Sequence, residues 1–191
     1  MDRDVVTLII QDHRDMQQLF ARLRGGEGDR ELLFQQMAAM LTAHSRAEEA
    51  EVYPVLAKAG ESDEVTHARE EHAEADEMLG TLKTLDPHSD RFEELLTKLM
   101  DAVEHHIEEE ESTHLPALRA VVGGDRLAEL AGAFTVRRGA ELEGGPSPRQ
   151  VGGSELSREK LYAKAAEHDI SGRSQMTRDE LREAVKTAEG S

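Results

Sequence analysis

With 191 residues and no cysteine, the chain is long enough to bury a core unaided, and it cannot use disulfides, thiolate zinc sites, cysteine-ligated iron–sulfur clusters or c-type haem. Forty acidic residues against 23 basic ones give a net charge of −17; from Arg137 onward the signs balance at ten each, so the excess belongs to residues 1–136. Such a surface attracts cations and repels nucleic acid and anionic membranes, although charge alone needs no more than a solvated acidic face.

The opening Met1-Asp2-Arg3-Asp4 is charged and leads into an amphipathic pattern rather than a signal peptide. No apolar run approaches the roughly 18 residues of a membrane span, so a soluble, cytoplasmic protein with no membrane partner is expected. Aromatics make up only 3% of the chain while Leu, Ala and Glu abound, a composition for helices rather than sheets.

The first predicted helix carries Val5, Leu8, Ile9, Met16, Leu19, Phe20 and Leu23 at helical spacing and closes at Gly25-Gly26. A second runs from about Asp29 to just before Gly60, with Leu33, Met37, Met40, Leu41, Val52, Val55 and Leu56 on one face. The third starts near Ser62, presents Val65, Ala68, Leu79, Leu82 and Leu85, and stops at Asp86-Pro87. The fourth begins near Ser89 and shows Phe92, Leu95, Leu96, Leu99 and Val103 before reaching Pro116. Long helices with short connections pack antiparallel, so the expected fold is all-α: an up-and-down four-helix bundle. A short amphipathic piece (Leu127, Leu130, Ala131, Phe134) trails it within residues 1–136. Residues 137–154, with Gly144-Gly145-Pro146 and Gly152-Gly153, read as a flexible linker, and 155–191 as a small two-helix module.

The chemistry lies in polar residues placed where the pattern asks for apolar ones. His13 shares the stripe of Ile9, Met16 and Phe20; His44 and Glu48 continue that of Met37, Met40 and Leu41; His72 sits with Val65, Ala68 and Leu79; His106 and Glu110 prolong Leu95, Leu99 and Val103. A lone inward histidine is more often a hydrogen-bonded core residue than a ligand. Two inward carboxylates, however, cost several kcal/mol each without a partner, and no Lys or Arg lies on these stripes. His44/Glu48 and His106/Glu110 are both i,i+4 pairs, and HSRAEEAEVYPVL (44–56) aligns without a gap on HIEEEESTHLPAL (106–118). This register selects His106, whose face carries Leu99, Ala102 and Val103, over His105, whose face carries Lys98 and Asp101. Four imidazoles and two carboxylates suit iron, manganese or zinc, and carboxylates can bridge two ions. His67, His88, His105, His114 and His168 are expected at solvent-exposed or supporting positions.

The arrangement His13 … His44-x-x-x-Glu48 … His72 … His106-x-x-x-Glu110, with Asp12-His13-Arg14 and Glu71-His72, resembles the hemerythrin-like, or HHE cation-binding, family over about residues 4–120. The resemblance implies a non-haem centre of two iron ions, oxo- or hydroxo-bridged and carboxylate-bridged, that meets O2, peroxide or nitric oxide. Family members bind oxygen, sense it, handle iron or defend against peroxide and nitric oxide. The oxygen-carrying members have a second histidine one turn after the third-helix histidine, where this chain has Asp76, which favours sensing or scavenging over carriage. The alternatives are an iron-handling or peroxide-decomposing enzyme at the same site, and a metal-responsive regulator docking DNA or protein through its tail. That tail, from Leu156-Ser157-Arg158 to Asp179-Glu180-Leu181, is similar to the small helix–loop–helix module at the N-terminus of the transcription terminator Rho and in SAP-like modules. With seven basic and eight acidic residues from Ser154 on, it reads first as a protein-docking or structural module and second as a nucleic-acid contact.

Overall fold

The computed structural model describes residues 4–143, together with Ala165, His168, Ile170, Ala184, Val185, Thr187 and Ala188. The chain divides into two compact units, Met1–Ser147 and Pro148–Ser191. The expected linker beyond residue 143 and the expected 155–191 module lie outside the described residues, apart from those last positions.

Helix α1 (Val5–Arg24) starts on Asp4, whose carboxylate accepts the Thr7 N–H at 2.7 Å, and ends at Gly25 and Gly26. Gly26 has φ 66°, a left-handed conformation that costs glycine little. Asp29 caps α2 (Arg30–Ala47), which passes through a π-helical turn, π1 (Glu48–Val52), into α3 (Tyr53–Lys58). After Gly60 comes α4 (Ser62–Leu82). Ser89 caps α5 (Asp90–Glu109), which continues through a second π turn, π2 (Glu110–His114), into α6 (Leu115–Val121). α1 packs on α2 and α4 on α5, while contacts of α1 with α5 and α2 with α4 close the ring of four. No strand occurs among the described residues, and none of their helices is long and apolar enough to cross a membrane.

The π turns have a cause in the sequence. Proline lacks an N–H and its ring collides with the carbonyl four residues back. Pro54 and Pro116 each sit in the first turn of the helix that follows a π turn. The wider turn gives the preceding residue an i→i+5 bond instead: Tyr53 N–H donates to Glu48 O, and Leu115 N–H to Glu110 O. One residue is thereby added to the turn, and everything after it shifts register by one. Val52, Tyr53 and Leu56 are buried and Val55 is only partly so, whereas the unbroken pattern expects Val52, Val55 and Leu56 inside.

Two apolar clusters fill the bundle. One gathers Met16, Phe20, Leu23, Leu33, Met37, Leu79, Phe92, Leu96 and Leu99; the other gathers Val5, Ile9, Val52, Tyr53, Val65, Leu115 and Leu118. α1, α2 and α4 contribute to both, α5 lines the first and continues through π2 into α6 of the second, and the buried polar residues fall where the chain passes from one cluster to the other. The result is a polar layer enclosed by hydrocarbon on both sides.

One element is longer than expected. The trailing segment forms α7 (Gly124–Glu143), so residues 137–143 are helical, a correction to the linker boundary. Its expected apolar face is right: Leu127, Leu130, Ala131 and Phe134 are buried. The extra turns show no apolar period and are held by charge, Arg137 to Glu141 at 2.8 Å and Arg138 to Asp12 at 2.5 Å. α7 packs along α2 and α1 and thus covers the side of the bundle that carries His44.

Candidate metal centre

His13 from α1, His44 from α2, Glu48 from π1, His72 from α4, His106 from α5 and Glu110 from π2 all converge on the polar layer. Glu48, Glu110 and His13 have no exposed surface at all, and the other three are buried. His13, His44, Glu48 and Glu110 each offer a donor atom within 4.8 Å of the others, and Glu48, His72 and His106 do the same. Glu48 belongs to both groups.

The two carboxylates lie between the two histidine pairs. Glu48 turns one oxygen to His44 Nε2 at 3.3 Å and the other to His72 Nε2 at 3.6 Å. Glu110 Oε2 lies 3.2 Å from His13 Nε2 and 4.0 Å from His106 Nε2. The Nε2 atoms of His72 and His106 face each other at 3.2 Å. Donors about 2.1 Å from one first-row ion and at right angles to each other lie about 3 Å apart, which is the scale of these separations.

Every one of the four imidazoles is held from behind. Nδ1 of His13 meets Glu111 at 2.8 Å, that of His44 meets Asp12 at 3.3 Å, that of His72 meets Glu49 at 3.1 Å, and that of His106 meets Glu71 at 2.7 Å. A carboxylate at Nδ1 fixes the N–H there and leaves the Nε2 lone pair for a metal. The carboxylates are themselves anchored: Arg14 on Glu111 at 2.6 Å, Arg138 on Asp12, Arg46 on Glu49 at 3.5 Å, and His67 near Glu71 at 3.7 Å. The pattern follows the internal repeat. The acidic residue before each single histidine (Asp12, Glu71) serves the next helix, and the second Glu of each Glu-Glu pair (Glu49, Glu111) serves the lone histidine of another.

The fit to a cation shows in what remains unpaired. His13 Nε2, His44 Nε2 and all four oxygens of Glu48 and Glu110 are buried without a hydrogen-bond partner, the close approaches above lacking hydrogen-bond geometry. Buried polar atoms are nearly always satisfied, and a multivalent cation would satisfy all six at once. Burial alone would lower His44, but Glu48 beside it and the Asp12 hydrogen bond push it up to about 10. Burial likewise opposes the charge on His106, yet the Glu71 hydrogen bond and Glu110 raise it. Glu110, which burial would raise, is held well below the usual carboxylate range by His13 and the charges of His106 and His44.

Two buried residues escape the sequence pattern. Tyr53 stacks on His72 with ring centroids 5.5 Å apart, its phenol raised well above 10 by burial and then by the Glu48 and Glu110 charges. His114, expected at a solvent-exposed or supporting position, is buried with Nε2 unpartnered. Both reflect a π turn's one-residue shift, and a proline five residues beyond a doubled glutamate would have been the signal. His105 is exposed and His106 buried. His105→Ala is therefore expected to keep the metal content of the wild type while His106→Ala lowers it, by metal analysis; equal losses would contradict this helix register.

The segment 4–118 matches the hemerythrin HHE cation-binding domain. A DNA nickase of Nostoc is 29% identical over 136 residues, covering 70% of this chain and 38% of that one. An uncharacterized hemerythrin-like protein of Schizosaccharomyces pombe is 29% identical over 131 residues, 66% of this chain and 64% of its own length. An uncharacterized protein of Mycobacterium tuberculosis is 31% identical over 118 residues, 62% of this chain and 72% of its own. No solved structure matches. The chain thus spans about two fifths and just under two thirds of the first two relatives. With a matched segment that holds every residue of the polar layer, the chain belongs to the hemerythrin HHE cation-binding family.

Proposed function

We propose that this chain is a non-haem di-iron protein that binds O2, peroxide or nitric oxide in order to sense or scavenge it. His13, His44, Glu48 and Glu110 would hold one ion, and Glu48, His72 and His106 the other, with the two carboxylates between them. Iron so held supplies reversible one-electron chemistry and coordination positions that protein donors leave open. The chain supplies the rest. The four outer carboxylates keep each Nε2 aimed inward, and the apolar clusters exclude water from the layer.

The observation that carries this reading beyond metal storage is a cavity of about 180 Å³ against the rings of His44, His72 and His106. Its remaining lining is mostly apolar, with Met16, Leu41, Ala75, Val103 and Ile107, and adds Ser45, His105 and the two carboxylates Glu71 and Glu74. A small uncharged molecule loses little on leaving water for such a lining, whereas a hydrated anion loses much. Asp76 is engaged by Arg46 at 2.8 Å, so α4 contributes no donor beyond His72, and sensing or scavenging is favoured over reversible carriage.

Protein loaded with iron in air should hold about two ions per chain and absorb visible light that changes on reduction. A colourless protein with under about one ion per chain would end the reading. Val103→Phe, which fills the cavity from α5, is expected to keep the iron. With the ligand's space taken, nitric oxide binding should weaken roughly tenfold or more, about 1.4 kcal/mol. Unchanged binding would place the small ligand elsewhere.

A further inference from the structure

The two donor groups are unequal: four residues form the one around His13 and His44, and three form the one around His72 and His106. Beside the poorer group stands Tyr53, which has no exposed surface. Its ring lies nearly parallel to that of His72, at 23°, and its hydroxyl is 3.3 Å from His72 Nε2. In the repeat that relates 44–56 to 106–118, Tyr53 takes the place of Leu115, so the phenol is a difference between the halves. It is also fixed to the shared carboxylate residue, since Tyr53 N–H donates across π1 to Glu48 O.

A buried tyrosine that merely donates to a histidine is the plainer reading, and it leaves too much unanswered. With Glu49 at Nδ1 of His72 and Glu71 at Nδ1 of His106, both Nε2 atoms turn inward, and they face each other at 3.2 Å. Glu48 brings an oxygen to 3.6 Å of the same His72 atom. A phenol hydrogen bond accounts for one of these approaches, not for an imidazole, a carboxylate and a phenol all converging on one nitrogen. A cation among them accounts for all three, and the phenol oxygen then lies at the separation of neighbouring donors around one ion.

We propose that Tyr53 is a metal ligand, coordinating as phenolate the ion held by Glu48, His72 and His106 and raising that group to four protein donors. The inference rests on the di-iron reading. On coordination the phenolic O–H bond is exchanged for an oxygen–metal bond, one proton leaves to solvent, and no electron is transferred. A phenolate is a hard anionic donor that favours the ferric over the ferrous state, so it would also bias the two ions apart in redox behaviour.

The test uses full-length protein loaded with iron and oxidised in air. Phenolate bound to ferric iron gives a broad visible charge-transfer band, and Raman excitation within it enhances the tyrosine ring vibrations. The chain has two tyrosines, Tyr53 and Tyr162, so Tyr162→Phe isolates Tyr53. In that variant the ring vibrations are expected to persist and to shift when the protein is made with ring-deuterated tyrosine. Tyr53→Phe, which keeps the ring and its packing, is expected to lose the band while retaining iron. Iron-loaded protein without tyrosine vibrations in Tyr162→Phe would overturn the ligand role and leave the di-iron reading standing; so would a Tyr53→Phe spectrum equal to wild type. Protein that takes up no iron would sink both. Should Tyr53→Phe lose its iron, the isotope shift in Tyr162→Phe still decides the matter.

Discussion

Glu48→Gln is expected to empty both donor groups and to erase the stabilisation that metal gives the bundle. Glu48 is the residue common to the two groups, with one oxygen toward His44 and the other toward His72. Both oxygens are buried without hydrogen-bond partners, so no other protein group relies on them in the way a cation would. An amide of the same size cannot supply the charge or the second anionic donor. Metal that binds only the folded chain stabilises it by mass action, about 4 kcal/mol at roughly 1,000 times the dissociation constant. In a domain of this size that corresponds to about 8–16 °C in Tm. The quantity to measure is the difference between metal-loaded and metal-free Tm within each variant, which cancels whatever the substitution does to the empty chain. His13→Ala provides the contrast. It removes a donor from one group alone and should leave about one ion per chain and part of the increment. A Glu48→Gln protein that keeps the wild-type metal content and increment would show that the carboxylate is not shared between ions.

Much of this arrangement could be read from the chain because helix periodicity makes an inward polar residue conspicuous. His13, His44, Glu48, His72, His106 and Glu110 each interrupt an apolar stripe, and all six fall in the buried layer. The near-repeat of 44–56 in 106–118 placed the two glutamates alike and separated His106 from His105. What periodicity hides is any departure from 3.6 residues per turn. The π turns at Glu48–Val52 and Glu110–His114 advance the register by one, so the unbroken pattern gives no sign of Tyr53 and puts His114 at a solvent-exposed or supporting position. The outer carboxylates were hidden for another reason. Asp12, Glu49, Glu71 and Glu111 lie beside the layer rather than in it, and Glu49, Glu71 and Glu111 are only part-buried, so in sequence they merge with the rest of the chain's 40 acidic residues. Their role depends on which helices are neighbours, a tertiary fact. The length of α7 was lost similarly, since its last turns are held by Arg138 reaching Asp12 on α1, a contact with no trace in local pattern.

The metal-free Tm and the increment that metal adds to it are expected to respond to pH in opposite senses. In the empty chain His44 is raised from 6.5 to about 10: its burial works against the charge, but Glu48 and Asp12 outweigh it. A basic group raised on folding lends stability that is complete below pH 6.5 and is lost as pH climbs through about 10. The metal-free Tm should therefore decline across that window. Metal needs the lone pair on the same imidazole, so the proton must leave first, and His106, raised in the same direction, adds to the competition. Each proton displaced makes affinity rise about tenfold per pH unit within the window. The increment in Tm on adding metal should then widen as the metal-free baseline falls. Zinc serves as a redox-inert probe, with titration calorimetry in buffers of different ionisation enthalpy to count the protons released. An increment that stays level from pH 6.5 to 9, with no proton released, would mean that His44 is already neutral in the empty chain. The buried carboxylates would then be left uncompensated, and a layer of that kind could not persist between two apolar clusters without its cation.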